Sequence, residues 1–229
     1  MSSVPLSTQS QSNFFVMLPP EIRLLIYALA LQGEPDETLE LTLLDDPHRP
    51  SFSVKYAHDS FPLSPPHIDQ LLSLPKTCRL AYAECIHEFY ARNTLSTNQL
   101  GCILFLPSAL APPLFQTIRA LSLRCYARRR YCEYSYLDPA PDDEATWEAA
   151  WAVVAGMRGL KSLRVHIWQG HAFGLHGHHW SERQLLEPLT AIHGADSFIV
   201  TTSWVLDHTT PVEYRERCWP FQIQRGIIP

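Results

Sequence analysis

Long apolar runs are missing from this sequence. None approaches the roughly 20 residues a helix needs to cross a bilayer, which speaks against a helical membrane span. Clustered glycines are missing too: the 9 glycines stand singly, so no phosphate-cradling loop of the G-x-G-x-x-G or P-loop type is present. No G-x-S-x-G elbow and no H-E-x-x-H motif occurs, which removes the commonest serine-hydrolase and zinc-protease signatures. Charge is sparse, at 18% of residues with a net −5 at pH 7, and this gives no electrostatic footprint for nucleic acid. The one basic run, Arg128-Arg129-Arg130, is answered by Asp138, Asp142, Asp143 and Glu144 and reads as a solvated loop. The 6 cysteines contain no C-x-x-C pair and keep no regular spacing. They read as buried free thiols of a reducing compartment, cytoplasmic or nuclear, rather than as a disulfide framework. The opening MSSVPLSTQSQSN has no charged and apolar signal regions, so residues 1–13 read as a disordered leader and not a secretory signal.

What is present is apolar substance. Hydrophobic residues make up 46% of 229, enough for a sizeable core. Leu18, Ile22, Leu25, Ile26 and Leu29 fall on one stripe at helical spacing, with prolines 19 and 20 confined to a first turn and Gly33 and Pro35 stopping the helix near residue 31. Residues 34–66 carry turn signals around two short alternating runs, 39–44 and 51–56. The reading is a β-hairpin or a loose loop, and the proline density argues for an exposed insertion. A second helix is expected over about 73–91, with Cys78, Ala81, Tyr82, Cys85 and Phe89 on one face. The continuous apolar run Cys102–Leu106 suits a buried strand.

The second half alternates. Strands are expected at about 119–125, 162–168 and 197–204, separated by helices over 142–158 and 181–193. Trp147, Trp151 and Val154 share a stripe of the first helix. Ser181 and Gln184 have capping-box spacing at the start of the second, and Pro188 should bend it. Strands joined through helices are parallel if adjacent. Trp147, Trp151, Val154, Leu185 and Leu189 should then pack on one sheet face, against Leu163 and Val165 or their alternates.

Few residues offer chemistry. His166, His171, His176, His178 and His179 crowd one segment, but with irregular spacing in a glycine-bearing loop, so no native metal is expected. Cys78 and Cys132 read as inert thiols rather than nucleophiles. Asp142, Asp143 and Glu144 sit where a helix start favours carboxylates. The Trp147–Trp151 pair reads as core.

Two segments carry a resemblance. LPPEIRLLIYALAL, from Leu18, resembles the first helix of an F-box, and LPKTCRLAYAECIHEFY (74–90) resembles its second half. The chain as a whole is similar to an F-box-like family of filamentous-fungal proteins. These share Leu-Pro-x-Glu-Ile-Arg-x-x-Ile-Tyr (here Leu18 to Tyr27), Cys-Arg-x-x-Tyr-x-Glu (Cys78 to Glu84) and Asn-Thr (Asn93-Thr94). The resemblance covers about residues 14–205. It implies that Leu18, Pro19, Ile22 and Ile26 dock on the adaptor subunit of a cullin ligase; the other reading is that this helix closes the protein's own core.

The expected fold is mixed α+β. F-box-like helices (14–95) are split by an insertion (33–66) and followed by a small, mostly parallel sheet with flanking helices (96–205), leucine-rich-repeat-like, and a C-terminal tail (206–229). The favoured function is a non-catalytic protein-interaction module that recruits a protein target to an SCF-type ubiquitin ligase, with no cofactor. The alternative is a small-molecule-binding protein or cofactor-independent enzyme. Its pocket would be lined by Trp147, Trp151, Trp168, His176, His178 and His179.

Overall fold

Alternating apolar residues on successive segments make the frame, because a strand's side chains point to opposite faces every second residue. In a computed structural model, which describes residues 9, 11–32, 38–44, 51–57, 72–126, 144–168, 181–205 and 218–226, these segments form one sheet. Its strands are β1 (Thr38–Leu44), β2 (Ser51–Ala57), β3 (Thr94–Thr97), β4 (Ala120–Tyr126), β5 (Ser162–Trp168), β6 (Ser197–Thr202) and β7 (Gln222–Arg225), in the order β2-β1-β3-β4-β5-β6-β7. β1 and β2 form an antiparallel hairpin. Every other neighbouring pair is parallel, which makes six parallel strands.

The register aligns the core. Leu39, Leu95, Leu121, Leu163 and Phe198 stand in one row across five strands. Leu123, Val165, Val200 and Ile223 form the next row, and Cys125, Ile167 and Thr202 a third. The intervening row is Glu40, Ser96, Ser122, Arg164, Ile199 and Gln222, on the opposite face.

Helices cover one face. They are α1 (Asn13–Met17), α2 (Pro20–Ala30), α3 (Arg79–Arg92), α4 (Leu100–Ala109), α5 (Pro112–Phe115), α6 (Glu144–Ala155) and α7 (Glu182–Leu186), the last continued by a 3-10 turn over Glu187–Ala191. From β1 to β7 the parallel strands are added in one direction, and parallel crossovers are right-handed, so their helices fall on the same side. Trp147, Trp151, Val154, Leu185 and Leu189 accordingly share a single buried cluster with Leu163, Val165 and Ile167. The three central strands lie side by side and parallel, as their spacing predicts.

Several expectations need correction. The run 102–106 is not a strand: strand β3 ends at Thr97 and residues 100–109 form α4. Its continuous apolar run is helical, with Leu100, Cys102, Ile103 and Leu106 buried. The first strand of the hairpin is not an exposed insertion, since β1 lies between β2 and β3 within the sheet with Leu39 and Leu41 buried. The tail contributes a strand, β7, to the sheet edge. Tyr82 does not join the buried face of α3, which is Ala81, Cys85, Ile86 and Phe89. Pro188 does interrupt its helix: it stands in the first turn of the 3-10 segment, where no α-helical N–H is required of it.

Candidate docking surface

The N-terminal helices are held by polar groups rather than by leucines. Pro20 opens α2 and Glu21 faces its positive end. From the second turn Arg23 reaches across to α3, where Nε and Nη2 donate to the Glu84 carboxylate at 2.9 and 2.7 Å. The Tyr27 hydroxyl, one turn on, donates to the same carboxylate at 2.9 Å. Arg23 Nη1 also donates to the carbonyls of Leu18 (2.7 Å) and Phe15 (3.4 Å), which end α1 and would otherwise lack helical partners. The guanidinium lies 5.5 Å from the centre of the Phe15 ring, and Phe14 packs on Tyr27. One arginine therefore fixes α1, α2 and α3 together.

The electrostatics follow from this geometry. Hydrogen bonding to Arg23 holds the Glu84 carboxyl below its ordinary range, aided by Tyr27 and opposed by burial. Burial, then the carboxylate, raises the Tyr27 phenol, so it remains a donor at neutral pH. At the other end of the helix pair, Asn93 Nδ2 donates to Leu31 O (2.7 Å) and Phe89 O (2.8 Å), tying the last turns of α2 and α3 to each other. Cys78 caps α3, its Sγ accepting from the Ala81 N–H at 3.4 Å.

Because the buried face of α2 is Arg23, Tyr27 and Ala28, followed by Leu31, its aliphatic stripe points the other way. Ile22 is 42% exposed, Leu25 60% and Leu29 79%, and Val16 and Met17, just before the helix, are 66% and 72% exposed. Of the residues the sequence singles out for docking, Pro19 and Ile22 are exposed and Leu18 and Ile26 are half-buried. All four lie on one short segment. Val16, Met17, Leu25 and Leu29 enlarge the exposed surface; Leu25 and Leu29 were legible in the stripe, whereas Val16 and Met17 carry no signal in its periodicity.

Of the residues of the alternative pocket, the three described tryptophans lie on two different faces of the sheet. Trp147 and Trp151 are fully buried, their rings 5.2 Å apart edge to face, and Trp147 Nε1 donates to Leu185 O at 3.2 Å. Trp168 alternates with buried Ile167 to the opposite face of the sheet, where it stacks on His166. His176, His178 and His179, like Cys132 and the Arg128–Arg130 run, lie outside the described residues. Among the described cysteines, burial pushes the Cys125 thiol up to about 12 and Cys85 to about 11, which suppresses the thiolate each would need as a nucleophile.

A second charged clasp closes the opposite end of the sheet. Glu182, in the first turn of α7, accepts from both terminal nitrogens of Arg225 on β7 (2.9 and 2.7 Å) and from Trp204 Nε1 (3.0 Å). Ser181 and Gln184 complete a reciprocal capping box in front of it. The clasp joins the helical layer to the last strand.

Fold and site together define a mixed α+β protein, covered by helices on one sheet face, whose N-terminal helix turns its aliphatic side to solvent. The chain belongs to the family described as DUF7730, a domain of unknown function, whose profile matches residues 7–223. Neither the curated proteins nor the solved structures give a match. Among the described residues, no helix is long and apolar enough to cross a membrane.

Proposed function

We propose that this chain is a non-catalytic interaction module, an F-box-like subunit that recruits a protein target to an SCF-type ubiquitin ligase in the cytoplasm or nucleus. The observation that carries the reading is the orientation of α2. Its polar clasp faces inward and its aliphatic stripe outward, so the stripe is spare to the core and suits a helix-in-groove contact. Leu18, Pro19, Ile22 and Ile26 are the adaptor-binding residues of this reading. The target belongs to the sheet half, whose sequential parallel strands suit a truncated leucine-rich-repeat-like stack, with the row Glu40, Ser96, Ser122, Arg164 on its polar side.

A double variant, Ile22→Asp with Ile26→Asp, tests the adaptor contact. It is expected to keep the wild-type circular dichroism spectrum and a cooperative melt, while losing the cullin-ligase adaptor in a pull-down with purified components. Retention of the adaptor by the folded variant, or no binding by the wild type, overturns the reading.

A further inference from the structure

The outward stripe of α2 has the spacing of a self-pairing helix. Ile22, Leu25 and Leu29 follow one another at three and four residues, the a-d-a interval of a helix seam. Ile26 flanks them and is half-buried. The only charged side chain on the exposed part of α2 is Glu21 in its first turn, because Arg23 is turned inward and committed to Glu84. Two copies brought together through this face would therefore meet little like charge. In an antiparallel pair their helix dipoles would also oppose favourably.

Area decides whether such a contact is large enough. Exposed by 42% to 79%, the side chains of Val16, Met17, Ile22, Leu25 and Leu29 together leave on the order of 600 Å² of accessible surface per copy. A standard interface buries about 800 Å² per partner, and homodimer interfaces are about 65% apolar, so roughly 500 Å² of apolar surface per side suffices. The exposed side chains meet that requirement. A face used symmetrically by both copies also closes on itself and leaves no open end for further growth.

We propose that the free chain forms a two-fold symmetric homodimer through the α2 stripe, with Leu25 near the symmetry axis. The dimer stands whether or not the adaptor reading does. Where both hold, the two partners compete for one face, and self-pairing keeps the stripe covered until the adaptor displaces it.

Sedimentation velocity on the full chain, from low micromolar to several hundred micromolar, is expected to show a reversible monomer–dimer equilibrium. Leu25→Glu and Leu25→Lys variants should each be monomeric across that range, with the melting temperature that the wild type shows at the low-concentration, monomeric end. Mixed in equal amounts, they should re-form a heterodimer, because opposite charges then face each other at the axis. A wild type that stays monomeric overturns the proposal. So does a dimer that persists in both single variants, or the absence of heterodimer on mixing two folded variants. None of these outcomes depends on the adaptor pull-down, so the two readings fail separately.

Discussion

Glu84 holds three donors from α2, and its side chain is only 21% exposed. Removing the charge leaves the Arg23 guanidinium without its counterion in a site that is itself largely buried. The expected cost of Glu84→Gln at neutral pH is about 1–3 kcal/mol, that of leaving a partly buried donor without its acceptor. The pH dependence has a fixed sign. The folded-state carboxyl is held below its unfolded value of about 4.3, so the stabilisation is complete above that value and is lost as pH falls through the lowered folded one. Urea midpoints of wild type and Glu84→Gln should therefore stay apart from pH 7 down to about 5 and converge in stronger acid. Arg23, Tyr27 and Glu84 are all motif positions in the sequence, yet hydrophobic periodicity cannot reveal a buried face made of an arginine, a tyrosine and a glutamate. The stripe it does reveal is the one left outside.

At the scale of elements, the junction between α6 and β5 leaves little room for change. Gln116 donates to Gly156 O and accepts from Arg158 N–H, while Arg119 donates to Gly159 O, so this turn lies against the entry to β4. A Cβ at Gly159 would overlap the backbone carbonyl of Gln116. Gly159→Ala is expected to cost at least about 2 kcal/mol, as forced overpacking against backbone does; a thermal melt checks it, with little change predicted for Leu104→Ala on the partly exposed side of α4. Elements were legible where amphipathicity was clear. β4, β5 and β6 alternate, and the tryptophan stripe of α6 repeats at helical spacing, so each was readable. α4 was not, because an apolar run has no polar side to betray its period. Its Pro107 also argues against a helix, though it sits where α4 nears its end.

Across the whole molecule, an arginine–carboxylate pair closes each flank: Arg23–Glu84 joins α2 to α3 at the N-terminal side, and Arg225–Glu182 joins β7 to α7 at the C-terminal side. β7 is a four-residue strand with Gln222 and Gln224 exposed, so it brings little apolar burial of its own and depends on the second clasp. Glu182→Gln is expected to raise amide exchange at residues 222–225 by at least tenfold while leaving β4 and β5 protected, as measured by hydrogen–deuterium exchange. That shortness and polarity also hid β7 from the sequence, whereas the parallel order of the central sheet followed from helices lying between strands.

The strand order has one more consequence, and it concerns synthesis. From β1 onward, each parallel strand joins the edge left by the previous one, and the hairpin partner β2 takes the opposite edge. None of the described strands has to be threaded between two already in place. The chain can lay its sheet down in the order in which it leaves the ribosome, each segment finding its template already formed and covering the unpaired edge that would otherwise invite a wrong neighbour.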